Sequence, residues 1–460
     1  VSKLKALRVF LIVLTVLGFI AAVVSIFIFL QGYSLAGGIT LGAGLAMPAI
    51  CLPIIFCVIK KRIAEETERH DAHAEQAKKY LDEANAQMRP LNALFESDMT
   101  KRLIEQTVPK IKIDERFDMR RYDYLSGKYG FGKVDDNTRS TVAVLTGEIL
   151  GNPYILHRQL VRTMGTYTYY GSIVIHWTTT YTDSEGKTRT EHPSQTLTAS
   201  VTTPQPYYSY KTELVYGNEA APDLNFSRSA THAERLSEKA LAKKIKAGEK
   251  EIRKKQAKAG KSGGSNFTEM GNSEFDVLFG ALDRDHEVQF RLMFTPLAQK
   301  NELALIKDKT YYGDDFSFRK RGCLNYISSE HAAGFDFDTS YTRYASYDVD
   351  IAKSNFLSFN RTFFRSLYFD LAPLISVPLY QQHKPKEYIY GKSYGRNYTD
   401  FETEYVVNRL GEEHFASPES ATQSILKADF VEKDGKSDKA DVTAYSFRAE
   451  DRLDIIPMLG

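Results

Sequence analysis

Residues 166–182, TYTYYGSIVIHWTTTYT, decide the fold, because almost every side chain in them is β-branched or aromatic and none is Lys, Arg, Asp or Glu. Such side chains fit a pleated surface and lose χ1 freedom in a helix, so the run predicts a strand. Asp183-Ser184-Glu185-Gly186 follows as a turn, and residues 188–202 supply the return strand of a hairpin. Upstream, Gly151-Asn152-Pro153 marks a turn in a Thr- and Val-rich texture that begins at Thr141. Downstream, Pro204 and Pro206 are expected to break the ladder before another strand over 212–216. Trp177, the single tryptophan, is expected in the core.

Beyond this hairpin the pattern changes period. Thr295-Pro296 is an N-cap followed by a proline at the first helical position, which predicts a helix through about Lys307. Residues 316–329 alternate as strands do. From Val349 to about Leu374, Ile351, Phe356, Phe359, Phe363, Leu367 and Leu371 recur at three- and four-residue steps, the mark of an amphipathic helix. Strands and helices do not alternate regularly, so the fold class is α+β with a mixed, mainly antiparallel sheet.

The N-terminus is of another kind. VFLIVLTVLGFIAAVVSIFIFL, residues 9–30, is 22 residues without a charge, and residues 39–59 form a second uncharged run of 21. Each suffices to cross a bilayer core of about 30 Å. The expected anchor is therefore a two-span helical hairpin over 1–62, kinked by Pro48 and Pro53. Lys3, Lys5 and Arg8 precede it, Lys60, Lys61 and Arg62 follow it, and the loop between is uncharged, which predicts both termini on the cytoplasmic side of a plasma membrane. The three cysteines, Cys51, Cys57 and Cys323, offer no disulfide framework. Residues 63–108 read as a long juxtamembrane helix bent at Pro90, with a seam of Ala77, Leu81, Ala84, Met88, Leu91 and Phe95.

The soluble region divides into a β-rich part, 109–227, a basic helical insertion with a flexible linker, 228–265, and an α+β part, 266–460. Although the whole chain balances 60 Lys plus Arg against 58 Asp plus Glu, residues 228–261 hold 12 Lys or Arg against 4 Glu. A nucleic-acid arm would want aromatic rings for stacking, and this segment has none. Anionic lipid headgroups are the better partner for Lys243, Lys244, Lys246, Lys250, Arg253, Lys254, Lys255 and Lys258, since an anchor holds the chain at a membrane. A solvated helix face is the bland alternative.

A resemblance enters at residues 272–308, NSEFDVLFGALDRDHEVQFRLMFTPLAQKNELALIKD, followed by FSFRKRGCLNYISSEH. The paired Phe275 and Phe279, the turn with Asp283 and Asp285, and Met293-Phe294-Thr295-Pro296 resemble the central segment of a family of uncharacterised bacterial membrane proteins with paired N-terminal transmembrane spans. The likeness covers about residues 272–330. It implies a membrane-tethered α+β domain and supplies no catalytic residues.

Chemistry-bearing motifs are weak. Gly391-Lys392-Ser393-Tyr394-Gly395 has the spacing of a nucleophile elbow, with His414 as a base and Asp400 or Asp429 as its orienter, but the strand before it is short and polar. Gly127 to Lys133 has phosphate-loop spacing without the Ser or Thr that holds Mg²⁺. His70 and His73 share a helix face with no further ligand, and Cys323 is a lone thiol. No pattern calls for a cofactor or a metal. The expected function is a non-enzymatic scaffold or interaction domain, binding a protein partner or its own copies at a membrane; the alternative is a membrane-bound serine hydrolase using Ser393.

Overall fold

Residues 166–176 of the Thr- and Tyr-rich stretch belong to one very long strand, and 179–182 to a short strand after it, in a computed structural model that describes residues 2–30, 49–96, 98–117, 119–132, 136–262, 267–385, 399–433 and 438–450. Its strands are β1 (Ile111–Ile113), β2 (Arg139–Ile149), β3 (Asn152–His176), β4 (Thr179–Thr182), β5 (Thr188–Glu191), β6 (Ser194–Gly217), β7 (Asn225–Arg228), β8 (Phe316–Arg321), β9 (Leu324–Ser329), β10 (Ile425–Lys433) and β11 (Asp438–Tyr445). A seven-stranded antiparallel sheet runs in the order β1-β2-β3-β6-β9-β8-β7. Residues 109–227 and 266–460 thus share one sheet, because β6 pairs with β9 and β7 pairs with β8.

Helices cover both faces of this sheet. On one face Tyr154, Leu156, Leu214, Tyr216, Phe226, Phe318 and Ile327 meet the helices Ser273–Phe279, Glu287–Met293, Pro296–Ile306 and Val349–Ile375. Phe226, Phe275, Phe279, Phe290 and Phe294 pack ring to ring there, with centroids 4.7–6.5 Å apart. On the other face Ile155, Val215 and Leu324 meet Phe117, Leu125, Tyr129, Phe131 and Phe401. Burial on two faces explains why 153–156 reads as continuous Pro-Tyr-Ile-Leu rather than as alternation. Thr295 does cap its helix, its side chain accepting from the Ala298 amide, and the helix over Val349–Ile375 matches its periodicity.

β3 and β6 pair over 23 residues without a bulge, far beyond the strands that flank them. β2 accompanies β3 as far as Val161, and β9 accompanies β6 from Leu214 onward. Outside those limits the two strands form an arm whose side chains are mostly exposed. The β4–β5 hairpin carries the chain around its tip, where Asp183 accepts from the Lys187 and Glu185 amides and from Arg189.

Two expectations about this region fail. The strand continues through Pro204 and Pro206 instead of stopping, and alternation along the ladder gives the reason. Arg162 donates its amide away from β6, to Thr138, whereas Trp177 donates toward it, to Pro193. Even-numbered residues between them therefore point outward, and their partners Pro204 and Pro206, opposite Thr166 and Met164, turn their nitrogens to solvent. No ladder bond is lost. Trp177, expected in the core, is 43% exposed, because it lies where the arm has left the helical layers behind.

Residues 1–95 with 344–355 form one compact unit and the remainder a second. In the first, Ser2–Leu30 is helical, and its window Ala6–Val24 has a mean hydropathy of 2.7 over 19 residues. Among the described residues this is one helix long and apolar enough to cross a membrane, by length and composition. Much of the expected second span lies outside the described residues; from 49 the chain is helical, passing through a π-helical turn at Ile54–Ile59 after Pro53 and on through Lys60–Asn92. The juxtamembrane helix ends sooner than expected, two residues past Pro90, and a separate helix spans Met99–Thr107. Of its seam, Met88 is buried and Leu81 is exposed. Asn92 donates to the Ser346 carbonyl at 2.9 Å and Phe95 meets Tyr344 edge-on at 4.8 Å, so the last turns pack against residues 344–346.

Candidate functional site

Three places in the second unit could carry function: a polar cleft beside β8 and β9, the basic helix, and the arm. The cleft, about 540 Å³, is lined by Glu234, Arg235, Lys309, Tyr311, Tyr312, Asp315, Glu330 and His331. Asp315 precedes β8 and His331 follows β9, so pairing of the two strands brings them together. His331 Nδ1 lies 2.6 Å from Asp315 Oδ2, its Nε2 lies 3.1 Å from the Ser366 carbonyl, and the Tyr312 ring stacks on it at 3.9 Å. Burial draws the imidazole's pKa down, but the bond to Asp315 and the charges of Asp370 and Asp315 outweigh it and hold it above its ordinary value. Burial pushes Asp370 up to about 6, tempered by His331 and by a bond from Ser329.

This dyad does not suit proton abstraction. A carboxylate and a carbonyl both accept from the ring, so neither nitrogen keeps a lone pair for a substrate proton. The arrangement instead ties three segments together.

Other buried charges are also spoken for. Arg228 pairs with Asp314, both side chains fully buried, and Asp314 also accepts from the Thr231 amide at 2.7 Å. Arg228 is thus part of the sheet rather than of the basic insertion to which composition assigned it. Arg284 bonds Asp276 at 2.6 Å and Glu287 at 2.8 Å. Burial raises Glu302 to about 8, tempered by the Ser376 hydroxyl at 2.6 Å, and lowers Lys320, which donates to the Ala220 carbonyl, to about 8. Among the described residues no three His, Cys, Asp or Glu side chains gather as metal ligands would.

The helix Glu238–Ser262 is amphipathic. Leu241, Ile245 and Ile252 face the body, Gly248 lies against Val277, and Ile252, Ala259 and Phe267 form a small core. Its outer face carries Lys243, Lys246, Lys250, Arg253, Lys254 and Lys258. Lys244 and Lys255 depart from the expected lipid-facing set: the first donates to the Thr231 carbonyl at 2.8 Å, and the second bonds the Leu282 carbonyl and lies over the Phe267 ring. Helical periodicity turns these two inward with the apolar stripe.

Of the hydrolase residues, Ser393 lies outside the described residues. Asp400 opens the helix Asp400–Leu410, and His414 is 62% exposed beside Glu413 in a short 3₁₀ turn. The phosphate-loop pattern starts in the last turn of a helix, Met119–Tyr129, and runs out of it at Gly130, with Lys133 outside the described residues. Sequence reasoning passed over Asp315 and His331, whose separation is closed by strand pairing and marked by no motif.

The arm offers the third surface. Met164, Tyr167, Tyr169, Tyr170, Ile173, Val174 and Trp177 are each 43–82% exposed, and no formal charge occurs from Thr163 to Thr182 or from Pro193 to Tyr210. The body's own sheet edge is treated differently: Asp285 accepts from the Asn225 amide and Asp283 from the Ser227 amide, each at 2.8 Å, which closes the outer side of β7. Compared with known proteins, the chain matches no family model, no curated protein and no solved structure.

Proposed function

We propose that this protein is a non-enzymatic interaction module tethered to a bacterial membrane, and that the β3–β6 arm is the element it presents. One observation carries the reading: an uncharged, aromatic ribbon extends beyond its helical layers with apolar side chains exposed, which soluble surfaces ordinarily avoid. The apolar N-terminal helix supports the tether, and the resemblance of residues 272–330 to uncharacterised bacterial membrane proteins agrees with it. Placement of both termini in the cytoplasm rests on the basic flanks.

Photo-cross-linkers placed at Tyr170 and Trp177 of the full chain in native membranes test this reading, with the exposed body residue Val288 as control. Capture from the arm positions and none from Val288 is expected; equal capture from all three would remove the arm's special role. Ester or peptide hydrolysis by the purified chain that disappears in Ser393→Ala would replace this reading with the hydrolase.

A second contact is favoured by the cationic outer face of the basic helix, which we propose meets anionic headgroups. In proteoliposomes, Lys246 and Lys250 should be several-fold less accessible to amine modification when anionic lipid is included, and high salt should restore access. Unchanged access in neutral and anionic vesicles would remove the lipid contact.

A further inference from the structure

The arm's two outer edges are not equivalent. On β6 the outward positions include Pro204 and Pro206, which present no donor, so a strand approaching from that side meets gaps. On β3 the outward positions Met164, Thr166, Thr168, Tyr170, Ser172 and Val174 all keep their N–H and C=O groups, with neither proline nor charge among them. Natural edges are blunted by such devices, as β7 is by Asp283 and Asp285, whereas among the described residues nothing pairs with this one.

We propose that the β3 edge pairs with the β3 edge of a second copy of this chain, antiparallel about a twofold axis at Tyr170. This deepens the proposed function and rests on it. The sequence is self-complementary in that register. Tyr170 faces its own copy, Thr168 faces Ser172, Thr166 faces Val174 and Tyr167 faces Ile173. Hydroxyl pairs and aromatic with β-branched pairs are the combinations that stabilise cross-strand neighbours. Every even residue meets an even residue, so the outward N–H and C=O groups of both chains fall opposite one another and close the ladder.

The two arm glycines identify the occupant. At Gly165 a Cβ would lie 2.5 Å from the Tyr207 ring, so the ribbon already covers that position with an aromatic side chain of its own. At Gly171 a Cβ would meet nothing within 4 Å. In the twofold register Tyr169 of the second copy stands opposite Gly171, at a close non-hydrogen-bonded pair, where its ring covers the bare backbone as Tyr207 covers Gly165. A stranger's strand would supply that tyrosine by accident; a second copy supplies it by symmetry, twice. Tyr167, Tyr169 and Tyr170, with Ile173 and Val174, offer on the order of 1,000 Å² over two copies, the size at which specific interfaces begin. Confinement of both chains to one membrane raises their effective concentration.

The test uses the full chain in membranes, with the parent chain and its three native cysteines as background. Under mild oxidation Tyr170→Cys is expected to give a disulfide-linked dimer, because the position faces itself across the axis at a spacing a disulfide spans. Ile175→Cys, five residues from the axis, should give less than a tenth of that product. Ser172→Pro in the Tyr170→Cys background removes an outward N–H without touching the β3–β6 ladder, as Pro204 does, and should reduce the dimer at least tenfold while Trp177 fluorescence stays unchanged. Equal cross-linking by Tyr170→Cys and Ile175→Cys, or a dimer indifferent to Ser172→Pro, overturns the pairing. If a photo-cross-linker at Tyr170 captures a different chain and never a second copy, self-pairing falls while the arm stands as an interaction element. If it captures nothing, both fall.

Discussion

The two halves of β3 share a backbone conformation and little else. From Asn152 to His157 every residue is buried, with Tyr154 and Leu156 facing one helical layer and Ile155 the other. From Thr163 onward the same strand is mostly exposed, and among the described residues it pairs with β6 alone. The difference teaches where stability lies. The base gains from apolar burial on two faces, whereas an isolated two-stranded ribbon in water is marginal. A ribbon that long depends on its buried base for stability.

That contrast can be broken by substitution. Tyr154→Ala, at a fully buried position whose hydroxyl donates to the Lys112 carbonyl, should cost about 3–5 kcal/mol of unfolding free energy by chemical denaturation, while Tyr170→Ala, on the 82% exposed side chain, should stay within about 0.5 kcal/mol. Similar losses at both would erase the distinction between base and arm.

The pH response should come from the body. His331 is held above its ordinary 6.5 in the folded state, so its contribution is complete below about that pH and fades as pH rises through the folded value. Asp370, ordinarily 3.8, is pushed up to about 6, so the folded state binds its proton more tightly than the unfolded chain, and that contribution is lost as pH climbs from 3.8 to about 6. Both terms make the body less stable from acid toward alkaline pH. Asp370→Asn, which keeps an acceptor for Ser329, should reduce that slope and gain roughly 1–3 kcal/mol at pH 8 over pH 4, by chemical denaturation at the two values. An unchanged slope would exclude Asp370 as its source.

Smaller effects sharpen the comparison. Thr295→Ala removes the cap on the Pro296–Ile306 helix and should cost about 1 kcal/mol. Excising 164–206 and joining the paired residues Thr163 and Tyr207 through Asn-Gly should change the body's unfolding free energy by less than about 0.5 kcal/mol, since that pair is hydrogen-bonded and suits a two-residue turn. A large loss on excision would show that the arm supports the body after all.

Legibility followed the range of the interaction that set each feature. The Thr295-Pro296 helix start was readable because a cap is formed within four residues, and Val349–Ile375 because its periodicity is local. Pro204 and Pro206 misled because their cost depends on which way the nitrogen points, and the β3–β6 register decides that. Trp177 misled because strand propensity does not say whether a layer covers the strand. Of the basic set, the outward cations follow helical spacing, but Lys244 and Lys255 turn inward to carbonyls contributed by Thr231 and Leu282. The Asp315–His331 contact had no sequence mark, since neither residue type is rare and the fold alone makes them neighbours.

Composition and pattern by themselves determined the apolar N-terminal helix, the α+β class, the strand character of 166–182 and the basic face, because each is written in runs of neighbouring residues. Tertiary structure alone decided that β6 passes its two prolines unbroken, that one arm edge is closed and the other open, and which charges are buried. The reason is physical: propensity and charge are properties of a segment, whereas burial and the direction of a backbone N–H are properties of what lies beside it.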